Sequence, residues 1–357
     1  MYLLDYKQAR YVSLPSPGAD DGDIDDAEEG IQARRAKASR TARYFPLMFV
    51  GMFCFTIGFL GGEFIQDKGL IARLDQHHVS KCQSPSIRRE WRSLGFDEKQ
   101  DYIRAVRCLL SKPSKARSEG LLYEDFPRLH HIVGGDSHNT ALFLPWHRYL
   151  LHVYETELKD TCGYNGSLTE ALADSPVFDN VSGFGGDGDS TAGESVGNGY
   201  CVTDGPFFDL NLTYYGPENS EHCLSRGFTD GNVKGRLAGD KVRPAVIEEV
   251  LQQPEYANFF MKLEKGPHNQ IPNGIRGDFF KFTAPNDPLF YLHHRLWWIW
   301  QQTDKQTRLY SFGDIPQGES MKPPGMSDII SLGGMLAPDI HVSDVMNTES
   351  GLLCYKY

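Results

Sequence analysis

Basic residues are in short supply. Against 47 Asp+Glu the chain sets only 36 Lys+Arg, a formal charge of -11, so composition offers no cationic footprint and nucleic acid is not an expected partner. Residues 20–29 lack almost anything that could enter a core. Seven of those ten positions are acids (Asp20, Asp21, Asp23, Asp25, Asp26, Glu28 and Glu29), and residues 1–43 read as a disordered, cytoplasmic tail. Charge is wholly missing from Tyr44 to Gly62, and cysteine is missing ahead of Cys54.

The uncharged run reads as a membrane span. Nineteen residues at ~1.5 Å rise cover roughly 28 Å, close to the ~30 Å hydrocarbon core, whereas the apolar part of a cleaved signal is only about 7–15 residues and lies nearer the start. Five basic residues (Arg34, Arg35, Lys37, Arg40 and Arg43) immediately precede it. A basic flank stays cytoplasmic, which makes the chain a single-pass type II protein with residues 63–357 luminal. Three N-x-[ST] sequons (Asn165, Asn180 and Asn211) and six of the seven cysteines (Cys82, Cys108, Cys162, Cys201, Cys223 and Cys354) all lie beyond the span, as glycosylation and an oxidising compartment require. Six cysteines allow fifteen pairings, and spacing does not choose among them.

What is present beyond the span suits one large packed domain. Hydrophobic residues make up 40% of the chain and aromatics 12%, with 21 Phe and 17 Tyr. The periodicity is mainly helical. Residues 87–110 place Trp91, Leu94, Tyr102, Val106, Leu109 and Leu110 at helical spacing ahead of Pro113, predicting one or two helices. A second helix is expected over 145–160 and a third over 287–310, while 163–240, rich in Gly, Asp and Ser, reads as loop.

Of twelve histidines, seven (His130, His131, His138, His147, His268, His293 and His294) fall in or beside these aromatic, helix-like segments. Imidazole is a favoured ligand of copper and zinc, and several buried imidazoles are costly unless something satisfies their nitrogens. His138-Asn-Thr-Ala-Leu-Phe-Leu-Pro-Trp-His147, with Arg-Tyr-Leu and Tyr154-Glu155 beyond it, resembles the first copper motif of the tyrosinase family. Asn286-Asp-Pro-Leu-Phe-Tyr-Leu-His293-His294 resembles the second. The likeness runs from about Cys82 to Trp300. It implies a mainly α fold, with a four-helix bundle holding a type-3 site of two copper ions among long irregular loops, behind the single N-terminal span.

Carried over by position, the resemblance assigns His130, His138 and His147 to copper A and His268 and His294 to copper B. His130 is preferred to His131 because it stands eight residues before His138, a spacing familiar in fungal members of the family. Asn269 takes the family position that helps hold a water for phenol deprotonation, with Glu264 and Glu255 both open as its acidic companion. The implied chemistry is o-hydroxylation of a phenol with dioxygen and oxidation of the product to an o-quinone. An acidic tail, an anchor and such a domain also resemble the membrane-anchored tyrosinases of fungal ribosomal-peptide mycotoxin pathways, of the ustiloxin and phomopsin kind. There the substrate would be a tyrosyl side chain of a precursor peptide.

Three departures mark the chain. Pro272 stands four residues after His268, where the family has another copper B imidazole, and His293 is the nearby substitute. Copper B is therefore expected to be the weaker site. Arg295-Leu-Trp follows His294 at once, about one helical turn early, and the family's Pro-Tyr-Trp-Asp-Trp is absent after Cys162. These departures leave a different class open, a copper-poor relative that binds a phenolic ligand without turnover, and behind it an oxygen carrier.

Overall fold

Gly95 divides the first predicted helical segment. Glu98 reaches back to accept from the Gly95 N–H at 2.8 Å, which starts helix α1 at Phe96–Leu109 and confines Trp91–Ser93 to a separate short turn. Helix α2 covers Leu122–Val133 and helix α3 Phe143–Cys162. Pro145 lies inside the first turn of α3 and does not open it, a place where the missing N–H costs nothing. Further along come α4 (Pro244–Leu251), α5 (Tyr256–Leu263), a π-helical turn over Glu264–His268, α6 (Asn269–Ile275) and α7 (Phe290–His293). Helix α1 packs on α2 and α3.

The computed structural model describes residues 82–166, 176–216, 218–294, 312, 325–349 and 351–356. These lie in one of two units of the chain, Val79–Tyr357. The expected tail (1–43) and membrane span (44–62) lie outside the described residues, as do residues 295–311, which hold most of the third predicted helix, and residues 167–175; two of the three departures fall in these last two segments. Among the described residues no helix is long and apolar enough to cross a membrane.

The stretch expected to be loop holds four short strands, β2 (Tyr200–Cys201), β3 (Asn211–Tyr215), β4 (Glu218–Cys223) and β5 (Ser225–Arg226). β3 pairs antiparallel with β4, and β2 with β5. In β3 the two residues Leu212 and Tyr214 are buried and their neighbours are not, the period of two that a half-buried strand shows. β3 packs on α2. The remaining strands are β1 (Ser86–Ile87), parallel to β8 (Tyr355–Lys356), and the pair β6 (Ile329–Ile330) with β7 (Ile340–His341).

All six cysteines beyond residue 62 are paired. Cys82–Cys354 ties the two ends of the domain beside β1 and β8, Cys108–Cys162 joins the ends of α1 and α3, and Cys201–Cys223 joins β2 to β4. The three sequon asparagines are all exposed.

Candidate metal centre

Helix α2 buries Leu122, Tyr123, Phe126, Leu129 and His130. That spacing of three and four makes His130 part of the core-facing stripe. His131, about 100° further round the helix, hydrogen-bonds the Tyr214 hydroxyl instead. His147 occupies the buried stripe of α3, with Phe143, Leu150, Leu151 and Tyr154. His138 comes from the connection between α2 and α3, where Asn139 adopts a positive φ of 55°, a conformation Asn tolerates better than most residues. Gly134 lies against the His130 ring; a Cβ there would meet the ring and Trp146 at 3.2 Å.

The outer nitrogen of each ring is tied down. His130 Nδ1 donates to the Phe282 carbonyl at 2.6 Å, His147 Nδ1 to Phe143 at 2.7 Å and His294 Nδ1 to Phe290 at 2.9 Å. His138 Nδ1 donates to Glu264 Oε1 at 3.1 Å, and His268 Nδ1 to Asn269 Oδ1 at 2.8 Å. With its proton on Nδ1, each ring turns an Nε2 lone pair inward. Nε2 of His130 lies 3.2 Å from that of His147 and 3.4 Å from that of His138, and Nε2 of His268 lies 2.9 Å from that of His294. Facing lone pairs repel, so what satisfies them is a shared electrophile.

Protonation would also relieve that repulsion, but burial opposes it. Desolvation holds His138 and His268 down to about 4, and it places His130, His147, His293 and His294 well below the usual imidazole range, with the neighbouring rings adding to the effect. Neutral imidazoles are the ligand form. Two groups of three, His130–His138–His147 and His268–His293–His294, each bring their ligand nitrogens within 4.8 Å of one another. The groups adjoin, for the His147 and His294 rings stack at 4.6 Å and 15°. Phe143, Leu144 and Leu263 wall the hollow between them.

A family profile described as the common central domain of tyrosinase matches residues 117–303. The chain belongs to the tyrosinase family. Tyrosinase ustQ of Aspergillus flavus is 40% identical over 344 residues, covering 93% of this chain and 94% of that protein. Tyrosinase-like protein phomQ2 of Diaporthe leptostromiformis is 41% identical over 297 residues, covering 80% and 76%. Among solved structures, a polyphenol oxidase variant from Thermothelomyces thermophila superposes with a TM-score of 0.65 at 27% identity, covering 82% of this chain and 92% of that one.

The cofactor of this tyrosinase-family oxidoreductase is a pair of copper ions, and the residues present fit them: two groups of histidines, buried or half-buried, that could each hold a metal ion. Of the two acids left open by sequence, Glu255 is exposed and bonds Asn258, whereas Glu264 is buried against the site. The Asn139 N–H donates to both Glu264 oxygens, at 3.0 and 3.1 Å, and burial raises this carboxyl to about 7. Asn269 sits at the His268 ring as its Nδ1 acceptor. The carbonyls that orient the rings were missed in the sequence, though a signal exists. His147 and His294 each bond the carbonyl four residues back, and in both motifs that residue is Phe, giving Phe-x-x-x-His twice.

A second buried network aims α7. Arg226 grips Asp287 through two contacts, Nε to Oδ2 at 2.8 Å and Nη2 to Oδ1 at 3.0 Å, with both side chains fully buried. Arg226 Nη1 also donates to the carbonyls of Phe184, Gly185 and Gly186, and Asp287 Oδ1 accepts the Leu289 N–H at 3.0 Å. The glycine-rich segment around 183–199 thus closes on the arginine that holds the start of the second histidine motif.

Proposed function

We propose that this protein is a phenol oxidase of the tyrosinase type, which hydroxylates a phenol ortho to its hydroxyl and oxidises the product to an o-quinone. The observation that carries this reading is the convergence of Nε2 lone pairs among His130, His138 and His147 and, in the adjoining group, between His268 and His294. Bound there by His130, His138 and His147 on one side and by His268 and His294 on the other, a copper pair supplies two-electron exchange with dioxygen that one copper does not.

The chain's own groups do the rest. The carbonyls of Phe282, Phe143 and Phe290 hold protons on Nδ1 and so keep Nε2 of His130, His147 and His294 free to bind. Glu264 orients His138, and its raised affinity for a proton suits a site that must store one near neutral pH. Asn269 Oδ1 accepts from His268, which leaves its amide NH2 as the donor end for a water that takes the phenol proton. Phe143, Leu144 and Leu263 exclude bulk water. The four-helix bundle would include α1, α2 and α3.

The substrate we favour is a tyrosyl side chain of a secretory-pathway precursor peptide in mycotoxin biosynthesis. The resemblance to ustQ and phomQ2 supports it, and so do three disulfides, three exposed sequon asparagines and the uncharged run at 44–62, which favour a luminal domain on a single type II anchor. Oxygen uptake by the copper-loaded full chain, offered a tyrosine-containing peptide or free tyrosine, tests the reading. Uptake with the peptide is expected. A protein that binds two coppers and oxidises no phenol would instead be the ligand-binding relative.

A further inference from the structure

We propose that His293 is the third imidazole of the second copper position and replaces the ligand that Pro272 removes. This rests on the two-copper reading above. His268 and the residue four positions on share one face of a helix, so an imidazole at 272 would fall beside His268; Pro272 has no ligand atom to offer. Something else must complete the set, or the position stays at two imidazoles.

His293 has what a ligand needs. The side chain is buried, and its Nε2 has no hydrogen-bond partner among the described residues. A structural histidine buried for packing alone would have both nitrogens satisfied or one of them wet. His268, which supplies the first ligand, also packs directly on this ring. The ring stacks on His268 at 4.8 Å and 27°, and meets His294 edge-on at 4.9 Å and 84°. Its ligand nitrogen lies within 4.8 Å of those of His268 and His294.

Consecutive residues on a helix diverge by about 100°, which would ordinarily keep two adjacent histidines off one ion. Here α7 ends at His293, and the ligand nitrogens of His293 and His294 nevertheless lie within 4.8 Å of each other. Two of the three ligands then sit on one turn, whose start Asp287 secures.

The test is copper per chain in the full-length protein, with a chelator competition to rank the two sites. His293→Ala removes the ring, and His293→Phe keeps a ring to stack on His268 while deleting the ligand nitrogen. The wild type is expected to hold two coppers and both variants one, with affinity at the second position falling by more than the roughly 10–100-fold that loss of a mere outer partner costs. The retained copper reports that the fold is intact. Two coppers in the wild type and two in His293→Phe, equally resistant to the chelator, would overturn the assignment of His293 alone. A wild type holding a single copper would overturn the two-copper reading and this inference with it.

Discussion

Replacing Arg226 by Met tests whether the buried Arg226–Asp287 pair holds the second histidine motif. Both side chains are fully excluded from solvent and meet through two short contacts, so Met fills much of the volume but leaves the Asp287 carboxylate without its cation. Breaking a buried pair from one side costs about 3–5 kcal/mol, chiefly because the surviving charge stays buried. The carbonyls of Phe184, Gly185 and Gly186 lose their donor in the same step. For a domain of this size each kcal/mol lowers Tm by about 2–4 °C, so a fall of about 6–20 °C is expected. The assay is thermal unfolding of the metal-free, disulfide-intact protein, followed by near- and far-ultraviolet circular dichroism. Adding Asp287→Asn removes the orphaned charge, and the double variant should melt above Arg226→Met alone. A fall of less than about 2 °C, or a double variant less stable than the single one, would refute the account.

Other outcomes follow from the same geometry. His147→Ala should lower copper from two to one per chain and abolish phenol oxidation, while His152→Ala, whose ring lies on Tyr149, should keep both metals; elemental analysis decides it. Burial holds His138 and His268 near 4 in the folded chain, against about 6.5 when unfolded. Between those values the unfolded state binds more protons, so the stability these groups contribute is full above about 6.5 and is lost as the pH falls towards 4, at up to about 1.4 kcal/mol per pH unit for each. Denaturant melts of the metal-free protein across that window should show the slope, and a pH-independent stability would count against neutral buried rings. In a eukaryotic host at least one of Asn165, Asn180 and Asn211 should carry an endoglycosidase-sensitive glycan, with an N-terminal tag digestible in intact vesicles; unmodified sequons together with a protected tag would reverse the topology.

Much of the metal centre was legible in the chain itself. Two motifs that resemble the family's copper motifs name His138, His147 and His294, and the same resemblance adds His130 and His268. The preference for His130 over its neighbour His131 rested on the distance to His138, and the fold supplies its physical reason: one step along α2 turns the ring from the cavity towards Tyr214. The alternation in β3 was equally local, though the glycine-rich setting hid it. What the sequence could not decide are relations between distant segments. Glu264 and Glu255 differ only in which one the π-helical turn brings against His138, 126 positions away in the chain. The cysteine pairing Cys82–Cys354 spans 272 residues, and Arg226 lies 61 residues from the Asp287 it neutralises. His293 was visible only as the neighbour of His294 and a nearby substitute for the missing imidazole, for its value rests on a buried nitrogen that has no partner among the described residues. Spacing carries information over one or two helical turns; beyond that, which groups meet is set by how the elements pack, and only the folded chain decides it.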